Sequence, residues 1–220
     1  LDYTNRRKTD KIKKEGLVTY LAPNSKISEQ YRAIRTNIQF ASVNRKTQTI
    51  VITSPGSREG KSTTVVNLAV SIAQQGEKVL VVDANLRSPA IHKIFNLENM
   101  IGMTDILIGK ATLEGAVMQT EVGNLSVLTS GPAPFNPAEL LSSVPMENLI
   151  QKAMEQYDFI LFDSPSVLDV TDTSILADQC DGVVLVISCN HTVNEDAVEA
   201  KRILSFTRGR LVGAILNNKV

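Results

Sequence analysis

The stretch Thr53-Ser54-Pro55-Gly56-Ser57-Arg58-Glu59-Gly60-Lys61-Ser62-Thr63 joins a β-type run, Thr49-Ile50-Val51-Ile52, to a helical pattern. A strand, a tight glycine turn, Gly-Lys-Ser and a helix together make a cradle for nucleotide phosphates. Gly60 has no Cβ to keep the backbone away from a phosphate. The backbone N–H groups of Gly56, Ser57, Arg58, Glu59 and Gly60 converge on an anion with those of the helix start, aided by the helix dipole. Lys61 would place its ammonium between the outer two phosphates, and the Ser62 hydroxyl would sit on Mg²⁺. The common form has glycine six residues before the lysine; here that place holds Pro55, and Gly56 comes one later.

Two carboxylates join this loop. Asp83 ends Lys78-Val79-Leu80-Val81-Val82, and Asp163 ends Asp158-Phe159-Ile160-Leu161-Phe162. An acid at a strand's carboxyl end either caps the next helix or holds Mg²⁺ beside a phosphate loop. Two of them with Gly60-Lys61-Ser62 favour the second reading and a site that also manages a proton. Asn85 and Arg87 follow Asp83, while Ser164-Pro165-Ser166, Asp169 and Asp172 follow Asp163. Asp172 reads as a helix cap, and His92 as a helix-surface residue. Asn217, after the last apolar run, carries an amide able to read an adenine edge, although an ordinary turn fits equally well.

These residues need a frame. Strands are expected near 49–53, 78–83, 125–129, 158–162, 183–188 and 211–216. Helices are expected near 28–41, 62–75, 103–108, 112–118, 137–156, 172–178 and 194–206. Continuously apolar strands alternating with helices imply an α/β fold with a mostly parallel central sheet flanked by helices. Ligands in such sheets bind beyond the carboxyl ends of the strands.

Acidic and basic residues balance at 23 each, so no global field attracts nucleic acid. No apolar run approaches the ~20 residues that span a bilayer, and no secretory leader is visible, so a cytosolic location is expected. Cys180, Cys189, His92 and His191 lack metal-ligand spacing. Arg6, Arg7, Lys8, Lys11, Lys13 and Lys14 make residues 1–24 a basic N-terminal tail ahead of a domain over 25–220. Such a tail is either solvated or drawn to anionic lipid.

The chain resembles the bacterial tyrosine kinases of capsule and exopolysaccharide synthesis, P-loop proteins of the MinD/ParA-like class. The resemblance runs from about Lys26 to Asn217. It is carried by Glu29-Gln30-Tyr31-Arg32-Ala33-Ile34-Arg35-Thr36-Asn37, the phosphate loop, Val81-Val82-Asp83-Ala84-Asn85-Leu86-Arg87-Ser88-Pro89 and Thr129-Ser130-Gly131-Pro132-Ala133-Pro134-Phe135-Asn136-Pro137-Ala138-Glu139-Leu140-Leu141. It implies an ATP- and Mg²⁺-dependent protein-tyrosine kinase. Lys61 would serve the β/γ-phosphates, Ser62 the metal, Thr63 the α-phosphate, Asp83 the metal waters and the incoming phenol, and Asp163 the metal. The family's Glu29-x-x-Arg32-x-x-Arg35 helix lies at a subunit contact in a ring, where each site receives a neighbour's tyrosine tail. Its partner is a membrane-anchored activator, which would hold the kinase peripherally at the inner face of the membrane.

Two departures from the family stand out. A second Asp is usual where this chain has Asn85; an amide offers no negative charge, which slows transfer or shifts it onto Asp83. The family's tyrosine cluster has no counterpart among Tyr3, Tyr20, Tyr31 and Tyr157, which makes a monomer an alternative to the ring. An ATP-driven switch of the MinD/ParA type and a nucleotide-binding regulatory module are the competing readings.

Overall fold

Runs of Val, Ile, Leu and Phe leave most of these strands without a polar face, so the sheet they build must be covered on both sides. The computed structural model describes residues 16–41, 47–189 and 191–218. The strands are β1 (Thr49–Thr53), β2 (Val79–Asp83), β3 (Met118–Gln119), β4 (Leu125–Leu128), β5 (Phe159–Asp163), β6 (Gly182–Ser188) and β7 (Arg210–Asn217). They form one sheet in the order β3-β4-β2-β5-β1-β6-β7, parallel throughout except for β3, which runs antiparallel to β4. The helices are α1 (Val18–Leu21), α2 (Lys26–Ala41), α3 (Lys61–Ala73), α4 (Ile91–Phe95), α5 (Met103–Leu107), α6 (Leu113–Ala116), α7 (Pro137–Leu141), α8 (Val144–Gln156), α9 (Asp172–Ala177) and α10 (Asn194–Leu204).

Alternation of side chains divides the core in two. Val51, Leu80, Val82, Ile160 and Phe162 face one side, with residues of α5, α8, α9 and α10. Ile50, Ile52, Val79, Val81 and Leu161 face the other, with α3. All of α3 after Thr63 is buried, because α2 lies over its outer side. Inserting β5 between β1 and β2 aligns three strand ends, with Ile52 opposite Asp163 and Asp163 opposite Asp83. That register brings the phosphate loop and both acids to one edge.

The expected strands all form, and their ends differ by a residue or so. The expected helix 137–156 is instead two helices. Ser142 and Ser143 bond the carbonyls of Glu139 and Leu140 through their hydroxyls and close α7, and Pro145 lies in the first turn of α8. A proline there loses nothing, whereas inside one long helix it would delete a backbone bond. Helices α1 and α4 and strand β3 add to the expected elements.

The six basic residues of the expected tail lie outside the described residues. Its last part does not behave as a tail. Leu17 is buried in the core, the Thr19 N–H donates to Asn67 Oδ1 at 2.9 Å, and Asn67 Nδ2 donates to the Gly16 carbonyl at 2.6 Å. The boundary expected at residue 24 therefore falls inside packed structure. Among the described residues, no helix is long and apolar enough to cross a membrane.

Candidate active site

The turn between β1 and α3 is held by its own polar groups. Arg58 and Gly60 take left-handed backbone angles, φ 61° and 88°. A Cβ on Gly60 would lie 2.2 Å from Asn217 Nδ2, so only glycine fits. Asn217 Nδ2 donates to the Glu59 carbonyl at 2.9 Å, and Glu59 Oε1 accepts the Gly56 N–H at 3.0 Å. The end of β7 thereby latches the loop from outside, while the Glu59 carboxylate braces it from within. Asn217 does not line the cleft described below, and its amide donor is engaged by the loop.

Lys61 is 8 % exposed. Its Nζ donates to Ser54 Oγ at 2.9 Å, Ser166 Oγ at 3.1 Å and the Gly56 carbonyl at 3.3 Å. Burial lowers its pKa, and the charges of Asp163, Glu59 and Asp169 oppose that shift. Neither serine stands out in the sequence as a lysine partner.

Asp83 and Asp163 are fully buried side by side. Asp163 Oδ2 accepts the Ser62 hydroxyl at 2.6 Å, and Asp83 Oδ2 accepts the N–H groups of Ala90 and Ile91 at 3.0 and 2.9 Å. The Oδ1 atoms of both are buried without a partner. Burial first, and the Asp163 charge second, push Asp83 up to about 8. Burial likewise raises Asp163, to about 6, against the pull of Ser62 and Lys61. Two ionised carboxylates in such a place are costly unless a cation joins them.

Above them opens a cleft of about 530 Å³, lined among others by Arg58, Lys61, Ser62, Thr63, Asn85 and Asp169. The structure thus gathers Gly56 through Thr63, Asp83, Asn85 and Asp163 at one sheet edge. Neither Asp83 nor Asp163 lines the cleft itself; Asp163 meets it through Ser62. Asn85 Oδ1 accepts the Ser88 N–H at 3.2 Å and faces the cleft. Asp172 does not cap α9. It is the first residue of that helix, after Thr171, and forms an ion pair with Arg87.

On α2, Ser25 Oγ accepts the Ser28 N–H, which makes Ser25 the cap. Glu29 and Arg32 pair on the surface, and Arg32 also bonds the Pro23 carbonyl at 2.6 Å. Arg35, the third residue expected at a subunit contact, also serves the chain itself: its Nη1 donates to the Ser71 carbonyl at 2.6 Å and to Ser71 Oγ at 3.2 Å, tying α2 to α3.

The model of an AAA-domain family matches residues 47–205. The tyrosine-protein kinase YwqD of Bacillus subtilis is 50% identical over 204 residues, covering 93% of this chain and 86% of that protein. The tyrosine-protein kinase CpsD of Streptococcus agalactiae is 36% identical over 193 residues, 87% of this chain and 83% of that protein. Among solved structures, the chimerical protein CapA2B2 superposes with a TM-score of 0.90 at 39% identity, over 93% of this chain and 90% of that one. The kinase domain of the Escherichia coli tyrosine kinase ETK gives 0.89 at 29%, over 93% and 80%. The septum site-determining protein MinD of Pyrococcus horikoshii, complexed with Mg-ADP, gives 0.66 at 26%, over 77% and 70%.

Proposed function

The chain belongs to the bacterial tyrosine-protein kinases, and we propose that its cleft takes ATP with Mg²⁺ and passes the γ-phosphoryl group to protein tyrosines. The observation that carries this reading is the pair of unpartnered Oδ1 atoms on Asp83 and Asp163, beneath a Gly-Lys-Ser loop. Hydroxyl and carboxylate oxygens are the donor set that Mg²⁺ prefers. Ser62 and Asp163 would hold it, with Asp83 alongside. Mg²⁺, when bound, neutralises charge on the phosphate oxygens.

The chain's own residues supply the rest. Backbone N–H groups from Gly56 to Thr63 orient the phosphates, and Lys61 turns its ammonium from Ser54 and Ser166 toward them. Asp83 is the base the site offers to the tyrosine phenol, reached through one water because its side chain is buried beneath the cleft rather than lining it. Asn85 occupies the cleft wall without adding charge.

We place this activity in capsular or exopolysaccharide synthesis, under a membrane-anchored activator that brings the kinase to the inner face of the membrane. The exposed Glu29–Arg32 face of α2 is the surface offered for assembly into a ring. Incubation with labelled ATP, Mg²⁺ and a tyrosine-bearing peptide tests the reading. Phosphotyrosine supports it. ADP without phosphotyrosine points to an ATPase switch, and nucleotide binding with neither product points to a regulatory module.

A further inference from the structure

Arg87 and Asp172 are 85 residues apart in the chain and meet at the edge of the cleft. Arg87 lies four residues beyond β2, and Asp172 opens α9 beyond β5. Arg87 Nε donates to Asp172 Oδ2 at 2.8 Å, and Nη2 donates to Oδ1 at 3.0 Å. The Asp172 side chain is fully buried, whereas that of Arg87 remains 45% exposed. A guanidinium carries five N–H donors, and this side-on pairing uses two of them. The two on Nη1 and the second on Nη2 remain on the edge turned away from Asp172. Arg87 lines the same cleft as Lys61, Ser62 and Thr63.

An ion pair whose work is only to hold β2 to α9 has no need to expose half of its cation in a phosphate cleft. A guanidinium locked by a buried carboxylate on one edge and open on the other is a preorganised anion clamp, and a lysine cannot present both edges at once. We propose that Arg87 is a catalytic arginine supplied in cis, whose free N–H groups take up the negative charge that develops on the phosphoryl oxygens during transfer. Asp172 is its positioning residue. The inference rests on the nucleotide reading of the same cleft. As the bond between phosphorus and the phenol oxygen forms, the bond from phosphorus to the bridging oxygen of ADP breaks. The electron pair leaves with ADP, and the phenol proton passes through a water to Asp83.

Binding of Mg-ADP is compared with binding of Mg-ADP plus aluminium fluoride, a mimic of the phosphoryl group in flight, for the wild type, Arg87→Lys and Asp172→Asn. Arg87→Lys should weaken binding of the mimic by about 100-fold while ADP affinity stays within about threefold. Asp172→Asn should weaken the mimic by about tenfold, again sparing ADP. Turnover to phosphotyrosine should fall in the same order, with the KM for ATP little changed. Equal losses for ADP and the mimic would reduce the pair to a structural brace and overturn the proposal, as would wild-type affinity for the mimic in Arg87→Lys. A wild-type protein that binds ADP and the mimic but forms no phosphotyrosine would overturn the kinase reading while leaving Arg87 its role in phosphoryl transfer. A wild type that binds neither would overturn the nucleotide reading and this inference with it.

Discussion

The two sides of the cleft are built on opposite terms. On the β1 side the buried cation, Lys61, is satisfied three times over by oxygens of Ser54, Ser166 and Gly56. On the β2 and β5 side each of two buried carboxylates keeps one oxygen with no partner. A lysine held this way keeps its place by hydrogen bonds with the chain itself. The acids are stable only when protonated or when a cation reaches them. In the proposed reading the cation side supplies geometry, and the acid side supplies affinity for metal.

Removing Lys61 breaks this contrast most severely. Lys61→Met should lower phosphotyrosine formation by about 10³-fold or more, since the charge on the transferred group loses its fixed counter-ion. Circular dichroism and thermal melting should show the fold intact, because the chain beyond Lys61 is packed by apolar contacts. Activity within tenfold of wild type would remove Lys61 from the chemistry.

Asp83→Asn comes next, and here activity and stability should move in opposite directions. Transfer falls by about 100-fold with loss of the proton acceptor. Stability without metal follows the sign of the pKa shift. The folded pKa of Asp83 is raised from 3.8 to about 8, so its protonated form is favoured by folding. The stability this gives is complete below the ordinary carboxylate value and is lost as pH rises through about 8. Asp163, raised to about 6, adds a loss in the same direction at lower pH. In EDTA the wild-type melting temperature should therefore fall between pH 5 and pH 9. Asp83→Asn should melt above wild type at pH 9, and Mg-ADP should flatten the wild-type profile. A wild-type profile in EDTA that rises with pH would show that the acids are already neutralised within the chain.

The same contrast explains what the sequence disclosed. The strands were legible because burial on both faces writes them as unbroken apolar runs, and strand ends place acids such as Asp83 and Asp163 without further information. The break before Pro145 was not, because the apolar face of residues 137–156 continues across Ser142 and Ser143. Partners far apart in the chain were also hidden. Nothing local marks Ser54 or Ser166 as lysine ligands, and Asp172 looks like any residue at a helix start until Arg87 is found beside it. The amide of Asn217 is visible in the sequence, but its bond to Glu59 depends on β7 ending beside the loop.

Asn85→Asp sharpens the comparison by adding charge to the under-satisfied side. Asn85 accepts the Ser88 N–H and lines the cleft, and aspartate keeps both features while offering Mg²⁺ or its waters a further anion. Autophosphorylation should rise by about tenfold, with tighter Mg²⁺ dependence and a lower melting temperature in EDTA. An unchanged rate would show that this position takes no part in transfer.

Helix α2 repeats the contrast on a smaller scale and without chemistry. Arg35 bonds inward to Ser71 through Nη1, whereas Glu29 and Arg32 pair on the surface. Arg35→Ala removes a charge-assisted bond to a carbonyl of buried α3 and the packing of the side-chain stem, a loss of about 1–2 kcal/mol. In a domain of this size that is a few degrees of melting temperature. Glu29→Ala removes an exposed pair worth under about 0.5 kcal/mol, so melting should barely move. If the outer face joins subunits, Glu29→Ala instead shifts the sedimentation of the assembled kinase toward monomer. Equal melting losses in the two variants would mean that the surface pair, too, serves the fold, and the outward half of the helix would lose its claim as an assembly surface.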